Sequence, residues 1–411
     1  MREHIRLVAV CAVAWLQPAH GTAATVAPAD SAERQVLESA ANDLEQRLLH
    51  CGCMYDHPDL DAYLQGVADH LLAADSTAAG AIRVRALRNP DANAFALPNG
   101  AIFITTGLLQ RLDSEAQVAT VLGHEMTHYK RSHAVQELRH ERHAAAWSRG
   151  LGALFAATFA VLTRNQNMTG LAANLTNKSA ELWYMTSVSG YSQDMEREAD
   201  REGLRRMTAA GYDASEGVVA FERLAAAVHD EGHEATPYFS SHPRLAERIA
   251  SYQLLIGGEY AGETGPGRRI GRDEYGAHTP GLALDQVEIL LAARQPDRAS
   301  SILTAELETS ETARARYLEG EAVRRRLPTV DGETLALTAY ERAAALPDPP
   351  PEAVRQAAMI HRLRGENADA LREFQRYLEL APAADDAPLV RAFLAGQAAT
   401  AKSSPLPGDP R

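Results

Sequence analysis

Cysteine is scarce: three in 411 residues, at positions 11, 51 and 53, too few for the disulfide framework that holds small secreted domains together, so the fold must rest on its core. Long apolar runs are also missing. The uncharged stretch Leu7 to Leu16 falls well short of the roughly 18 to 20 residues that span a bilayer. Basic charge is in deficit, with 41 Lys and Arg against 54 Asp and Glu for a net charge of −13, which opposes attraction to phosphate backbones and excludes nucleic acid as the expected partner. The remainder is ordinary: 45% hydrophobic and 23% charged residues, the composition of a chain that folds in water, with membrane contact at most peripheral. The length suits two domains.

The N-terminus reads as an export signal. Arg2 and Arg6 precede the apolar run, and small residues from Ala19 to Ala24 follow it, so residues 1–24 are expected to be cleaved. Cys51 and Cys53 would close only a tiny loop if oxidised, and a plain thiol pair is the expectation. Apolar spacing predicts one or two helices between Ser31 and Ala74, and β-rich runs at 82–87, 93–97 and 101–105, separated by turn residues, predict a short antiparallel sheet. A helix capped by Asp113 or Ser114, with Gln117 completing a capping box, runs past Tyr129, and a second covers about 192–210 and stops at Gly211. Between them, the uncharged stretch 150–163 predicts a buried, capping or interfacial helix, and Asn167, Asn174 and Asn177 each begin a glycosylation sequon.

The Gly-rich stretch 257–280 reads as a linker between a body at 25–256 and a helical region at 281–400, with 401–411 a frayed tail. In the helical region Ala336, Leu337 and Tyr340 recur as Ala370, Leu371 and Phe374 at an offset of 34 residues. That is the tetratricopeptide period, generic helical hairpins being the alternative. The fold class expected is α+β, mostly helical, with a small antiparallel sheet followed by helical repeats.

The chemistry is concentrated in His124-Glu125-Met126-Thr127-His128. On a helix, residues i and i+4 share a face, so both imidazoles reach one cation while Glu125 stands beside them as a base. Two histidines need a third protein ligand to hold Zn²⁺ with a place left for water, and Glu196 on the second helix offers it. Asp200, one turn on, can accept the other ring N–H of His124. Without the His pair these acids would read as a salt-bridged face with Arg197, Arg201, Arg205 and Arg206. One Zn²⁺ per chain is expected.

Asn93 to Gly100, the segment Gly123 to His128, Glu196 with Asp200, and His242-Pro243 followed by Arg248-Ile249 occur in this order. In this the chain resembles the HtpX/BepA-like zinc metallopeptidases, gluzincins that include the CaaX prenyl proteases. The resemblance implies His124, His128 and Glu196 as ligands, Glu125 as catalytic base and Asp200 behind them. With the export signal and the repeats, it implies the periplasmic branch: a zinc endopeptidase acting on protein or peptide substrates in envelope quality control, its repeats recruiting substrate or an outer-membrane assembly complex. The rival is a chaperone or adaptor whose metal site is idle. Strand 101–105, with Asn93, Ala101 and Phe103 named for substrate binding, is read as an exposed edge on which substrate adds, a paired interior strand being the other reading. His242, before a proline, is expected to stabilise the oxyanion or cap the zinc as a gate, or else to pack. His133, His140 and His143 continue the metal helix out of phase with the ligand set, and are read as surface residues or residues behind the ligands that can bind metal adventitiously.

Overall fold

The computed structural model describes residues 31–75, 81–137, 186, 190–230, 242 and 245–403. The export segment, the stretch 150–163 and the three sequons lie outside the described residues. No described helix is long and apolar enough to cross a membrane.

Helices α1 (Ser31–His50) and α2 (Pro58–Ala73) lead into strands β1 (Arg83–Leu87), β2 (Ala94–Ala96) and β3 (Ala101–Thr105), a short α3 (Thr106–Leu109) and then α4 (Glu115–Lys130). The sheet order is β1-β3-β2. β2 runs antiparallel to β3, but β1 pairs with β3 in parallel, Val84 opposite Ile102 and Ala86 opposite Ile104. The sheet is therefore mixed rather than antiparallel throughout. The reason is that β2 lies between β1 and β3 in sequence but outside them in space, so the chain enters β3 in the direction it entered β1. One face of the sheet (Val84, Ala86, Ala94, Ala96, Ile102, Ile104) packs with α2 and α4, and the other (Phe95, Leu97, Ala101, Phe103) packs with α1, Tyr191 and Met195. Covered on both faces, β3 is apolar at every position up to Thr105, which is what an interior strand requires.

α5 (Gln193–Ala209), α6 (Ser215–Asp230) and α7 (Leu245–Gly257) complete the body. α5 crosses α4 where Gly203 meets Gly123: a Cβ on Gly203 would stand 2.9 Å from the His124 backbone nitrogen. Only a pair without side chains allows two backbones this close. Gly211 follows at φ 86° and ends α5 in the left-handed region, as its sequence predicts.

The stretch expected as a linker is strapped onto the body. The Ile270 and Gly271 carbonyls accept the Ala116 and Glu115 N–H groups at 3.0 and 3.1 Å, and Arg269 exchanges backbone hydrogen bonds with Gly211 and Asp213. The first-turn donors of α4 have no partners within the helix, so the strap helps to cap the helix that carries the motif. α8 (Arg272–His278) continues it, with Tyr275 buried and its hydroxyl donating to the Leu109 carbonyl. Cys51 and Cys53 are joined in a disulfide, contrary to the thiol pair expected. Its loop is too small to restrict the unfolded chain much.

From Gly281 the chain is helical: α9 (Leu282–Ala292), α10 (Pro296–Thr309), α11 (Ala313–Arg326), α12 (Val330–Ala345), α13 (Pro351–Leu363), α14 (Asn367–Leu380) and α15 (Ala387–Ser403). Short connections make successive helices neighbours. Three small apolar clusters share the burial, the residues repeated at 34-residue spacing among them: Ala336, Leu337 and Tyr340 in one and Phe374 in the next. The first pair is anchored to the body, where Arg298 binds Asp91 at 2.8 Å, Gln286 donates to the Pro90 carbonyl at 2.8 Å and Tyr55 donates to Asp285.

Candidate metal centre

α4 starts where the Ser114 hydroxyl accepts the Gln117 N–H, while the Gln117 side-chain carbonyl accepts the Asp113 N–H at 2.9 Å. It is buried from Glu115 to His128, so the His pair lies inside the protein and not on a solvated surface. α5 presents Glu196, Ala199, Asp200, Gly203 and Leu204 to the interior, and its arginines at 197, 201 and 205 lie on the other side. The Gly123–Gly203 contact lets the Glu196 and Asp200 carboxylates reach the α4 imidazoles.

Four side chains converge. His128 Nε2 is 2.9 Å from His124 Nε2, and His242 Nδ1 is 3.1 Å from the same His124 atom. Glu196 Oε1 lies 3.0 Å from His242 Nδ1 and 3.4 Å from His128 Nε2, and its Oε2 lies 3.5 Å from His124 Nε2. The donor atoms of His124, His128, Glu196 and His242 fall within 4.8 Å of one another, and all four residues are buried. Neutral ring nitrogens crowded together repel through their lone pairs unless a proton or a cation lies between them. Three imidazole nitrogens and a carboxylate are a donor set that suits zinc.

The electrostatics favour positive charge at this point. Burial and the Arg248 guanidinium oppose a charge on His124, yet Glu196 and Asp200 carry its pKa up to about 9. Burial takes His128 the other way, down to about 3. Burial alone would raise the Glu196 carboxyl, but His242 and His124 hold it well below the usual range. Asp200 is held down likewise, by Arg248 and then His124. Asp200 Oδ1 stands 3.0 Å from His124 Nδ1 and accepts from Arg248 at 2.6 Å, so one carboxylate orients both the imidazole and the guanidinium.

Glu125 differs from its neighbours. Both carboxylate oxygens are buried and accept no hydrogen bond from the described residues, with His242 Nε2 3.4 Å from Oε1. A buried carboxylate left this way is costly and fits a group that receives a proton from water or substrate.

The remaining sequence candidates lie elsewhere. Ala101 and Phe103 belong to the interior strand β3, so the reading of 101–105 as an exposed edge is corrected: β1 and β2 flank it on both sides. Asn93 precedes β2, its N–H donating to Thr105 Oγ1 at 2.8 Å. The ladder pairs Leu97 with Ala101 and Asn93 with Thr105, so Ala94 and Ala96 point their main-chain groups away from β3 along the sheet edge.

Two contributors, Tyr191 and Arg248, are not named as site residues from the sequence, and a third, His133, takes the place behind the ligands that was one of the two readings for it. Tyr191 stacks on His128 with ring centroids 4.0 Å apart. Arg248 sits 4.4 Å above the Phe221 ring and reaches Asp200 and His124; its place next to Ile249 in the motif was the available signal. His133 is fully buried against His128, because α4 stops at Lys130 and does not continue through it. His140 and His143 lie outside the described residues.

With this geometry in place, residues 54–254 match the sequence profile of peptidase family M48. These residues form a peptidase family M48 domain. The chain is 28% identical over 198 residues to the mitochondrial metalloendopeptidase OMA1 of Bos taurus (47% of this chain, 36% of that one). It is 32% identical over 165 residues to the mitochondrial metalloendopeptidase OMA1 of Arabidopsis thaliana (40% of this chain, 30% of that one). It is 27% identical over 201 residues to a putative beta-barrel assembly-enhancing protease of Vibrio cholerae (47% of this chain, 38% of that one). The matched segment thus spans between about a third and a half of the leading relatives, 36% of the first and 50% of the second. The M48 domain contains the whole donor cluster and Arg248.

Proposed function

We propose that the protein is an exported zinc endopeptidase that hydrolyses peptide bonds in envelope proteins. The observation that carries this reading is the buried convergence of His124, His128 and Glu196 beside the buried Glu125 carboxylate, which accepts no hydrogen bond from the described residues. His124, His128 and Glu196 would hold one Zn²⁺ per chain, and such an ion, when bound, polarises a carbonyl and makes water nucleophilic near neutral pH. Glu125 takes a proton from the attacking water on Oε1 or Oε2 and returns it to the leaving amine. Asp200 keeps the His124 Nδ1 proton in place and thereby leaves Nε2 free to ligate.

His242 supports a gated form of the same activity. Its ring lies between Glu125 and the ligand cluster, so it fills the space in which water and a scissile carbonyl would have to meet. His242→Ala then raises the peptidase rate, whereas a large loss instead assigns His242 to stabilising the oxyanion. Periplasmic residence, and recruitment of misfolded or stalled envelope proteins or of an outer-membrane assembly complex through α9 to α15, rest on the N-terminal signal pattern and on relatives named as beta-barrel assembly-enhancing proteases.

The test compares wild type and Glu125→Gln on casein, with and without chelator. Chelator-sensitive cleavage that falls about 10²- to 10⁴-fold in the variant, with zinc content unchanged, is the expected result. A variant that cleaves as fast as wild type rejects Glu125 as the base. Full rescue of a deletion strain by an inert variant would make the protein an adaptor.

A further inference from the structure

The two α4 histidines are supported differently. His124 turns its Nδ1 to the Asp200 carboxylate, but His128 turns its Nδ1 to another imidazole. Ser132 takes up a left-handed backbone (φ 55°) after the end of α4, and the helical turn at 133–137 brings His133 back against His128, Nδ1 to Nδ1 at 3.0 Å. The other His133 nitrogen, Nε2, lies 3.3 Å from Glu198 Oε2. Glu198 is half-exposed and pairs with Arg131 at 2.9 Å.

Two imidazole nitrogens at this distance share one proton, one donating and the other accepting. A ligating His128 keeps its Nε2 lone pair for the cluster, so its proton sits on Nδ1 and the His133 Nδ1 accepts. A neutral His133 then carries its own proton on Nε2, where the Glu198 carboxylate takes it. No other arrangement satisfies all three contacts.

We propose that His133 is a positioning residue that fixes the tautomer and ring orientation of His128, and that Glu198 at the protein surface fixes His133 in turn. This inference rests on the zinc reading above. It makes the His128 side of the site sensitive to a solvent-facing carboxylate, whereas the His124 side is held by buried groups alone.

The direct test is the tautomer state of the zinc-loaded protein by long-range ¹⁵N NMR. His133 protonated on Nε2 and His128 on Nδ1 are expected, and His133 protonated on Nδ1 overturns the proposal. The second test measures zinc affinity by chelator competition. His133→Leu weakens binding about 10- to 100-fold, the usual cost of losing an outer partner of a ligand histidine. His133→Gln, whose amide can accept from His128 and donate to Glu198, recovers most of it. Equal affinity for wild type and His133→Leu overturns the relay. Should that variant fail to fold, equal affinity for wild type and Glu198→Ala overturns it instead. Loss of the parent reading is distinguishable, because wild type itself would then bind no zinc, or His128→Ala would bind it as tightly as wild type.

Discussion

The M48 body and the C-terminal helices both pack helices against glycine, and they do so for different ends. In the body, Gly203 meets Gly123 backbone to backbone, and the closeness sets the distance between the Glu196 carboxylate and two imidazoles. In the C-terminal region Gly320 of α11 meets the buried Tyr340 ring of α12, where a Cβ would stand 2.4 Å from a ring carbon. That contact joins neighbouring helices and reaches no site. Charge follows the same division. Beneath α4, Arg206 and Lys130 bind the buried Asp75 at 3.0 and 2.7 Å, and Arg206 also donates to the Gly123 carbonyl at 2.8 Å. In the C-terminal helices Arg342 binds Glu311 in contact with water. The body uses buried groups to hold one geometry, while the helices stack on their neighbours and confine a disturbance to one joint.

The comparison is broken most severely at Asp75. Replacing it with Ala strands Arg206 in the interior beneath the motif and costs about 3 to 5 kcal/mol, read by denaturant unfolding; a loss under about 1 kcal/mol would mean the pair is solvated. Next comes Gly203→Ala, which must push α5 off α4. Overpacking of this kind costs about 1 to 3 kcal/mol, and zinc affinity by chelator competition falls with it. Unchanged affinity would show that the crossing does not set the ligand distance. Gly320→Ala sharpens the contrast, with a similar local cost and no change in zinc affinity or casein cleavage; hydrogen exchange should speed up in α11 and α12 and not in α4.

The smallest effect belongs to Glu311. Its hydrogen bonds to Arg342 and then Arg316 hold its pKa down to about 2, from an ordinary value of 4.5. A carboxyl lowered on folding stabilises the protein above its unfolded pKa, and that contribution is lost as pH falls from about 4.5 through about 2. Arg342→Ala therefore raises the Glu311 titration midpoint, followed by carboxyl NMR, and the difference shrinks at high salt because the pair is screened.

Much of the site is legible from local pattern. The i, i+4 spacing of His124 and His128 and of Glu196 and Asp200 places each pair on one helical face whatever surrounds the helix, and Ser114, Gln117 and Gly211 mark helix ends by local hydrogen bonds and backbone freedom. Strand positions are legible too, since β-rich runs separated by turn residues leave few choices. The order of strands is not, because pairing joins residues far apart in the chain. That is why β3, read as an edge, is the central strand. His133 was legible only as a residue on the surface or behind the ligands, because a single left-handed residue at Ser132 ends the periodicity on which its phase is reckoned.

By itself the sequence determined which side chains carry the chemistry and which of them share a helical face, because the repeat of an α-helix is a property of the backbone. Only the tertiary structure decided that the two helices cross at paired glycines, that His242 comes between Glu125 and the ligands, and that the Gly-rich stretch caps α4 instead of hanging free. Those outcomes depend on the packing of distant segments, where shape and burial choose among arrangements that local pattern leaves equal.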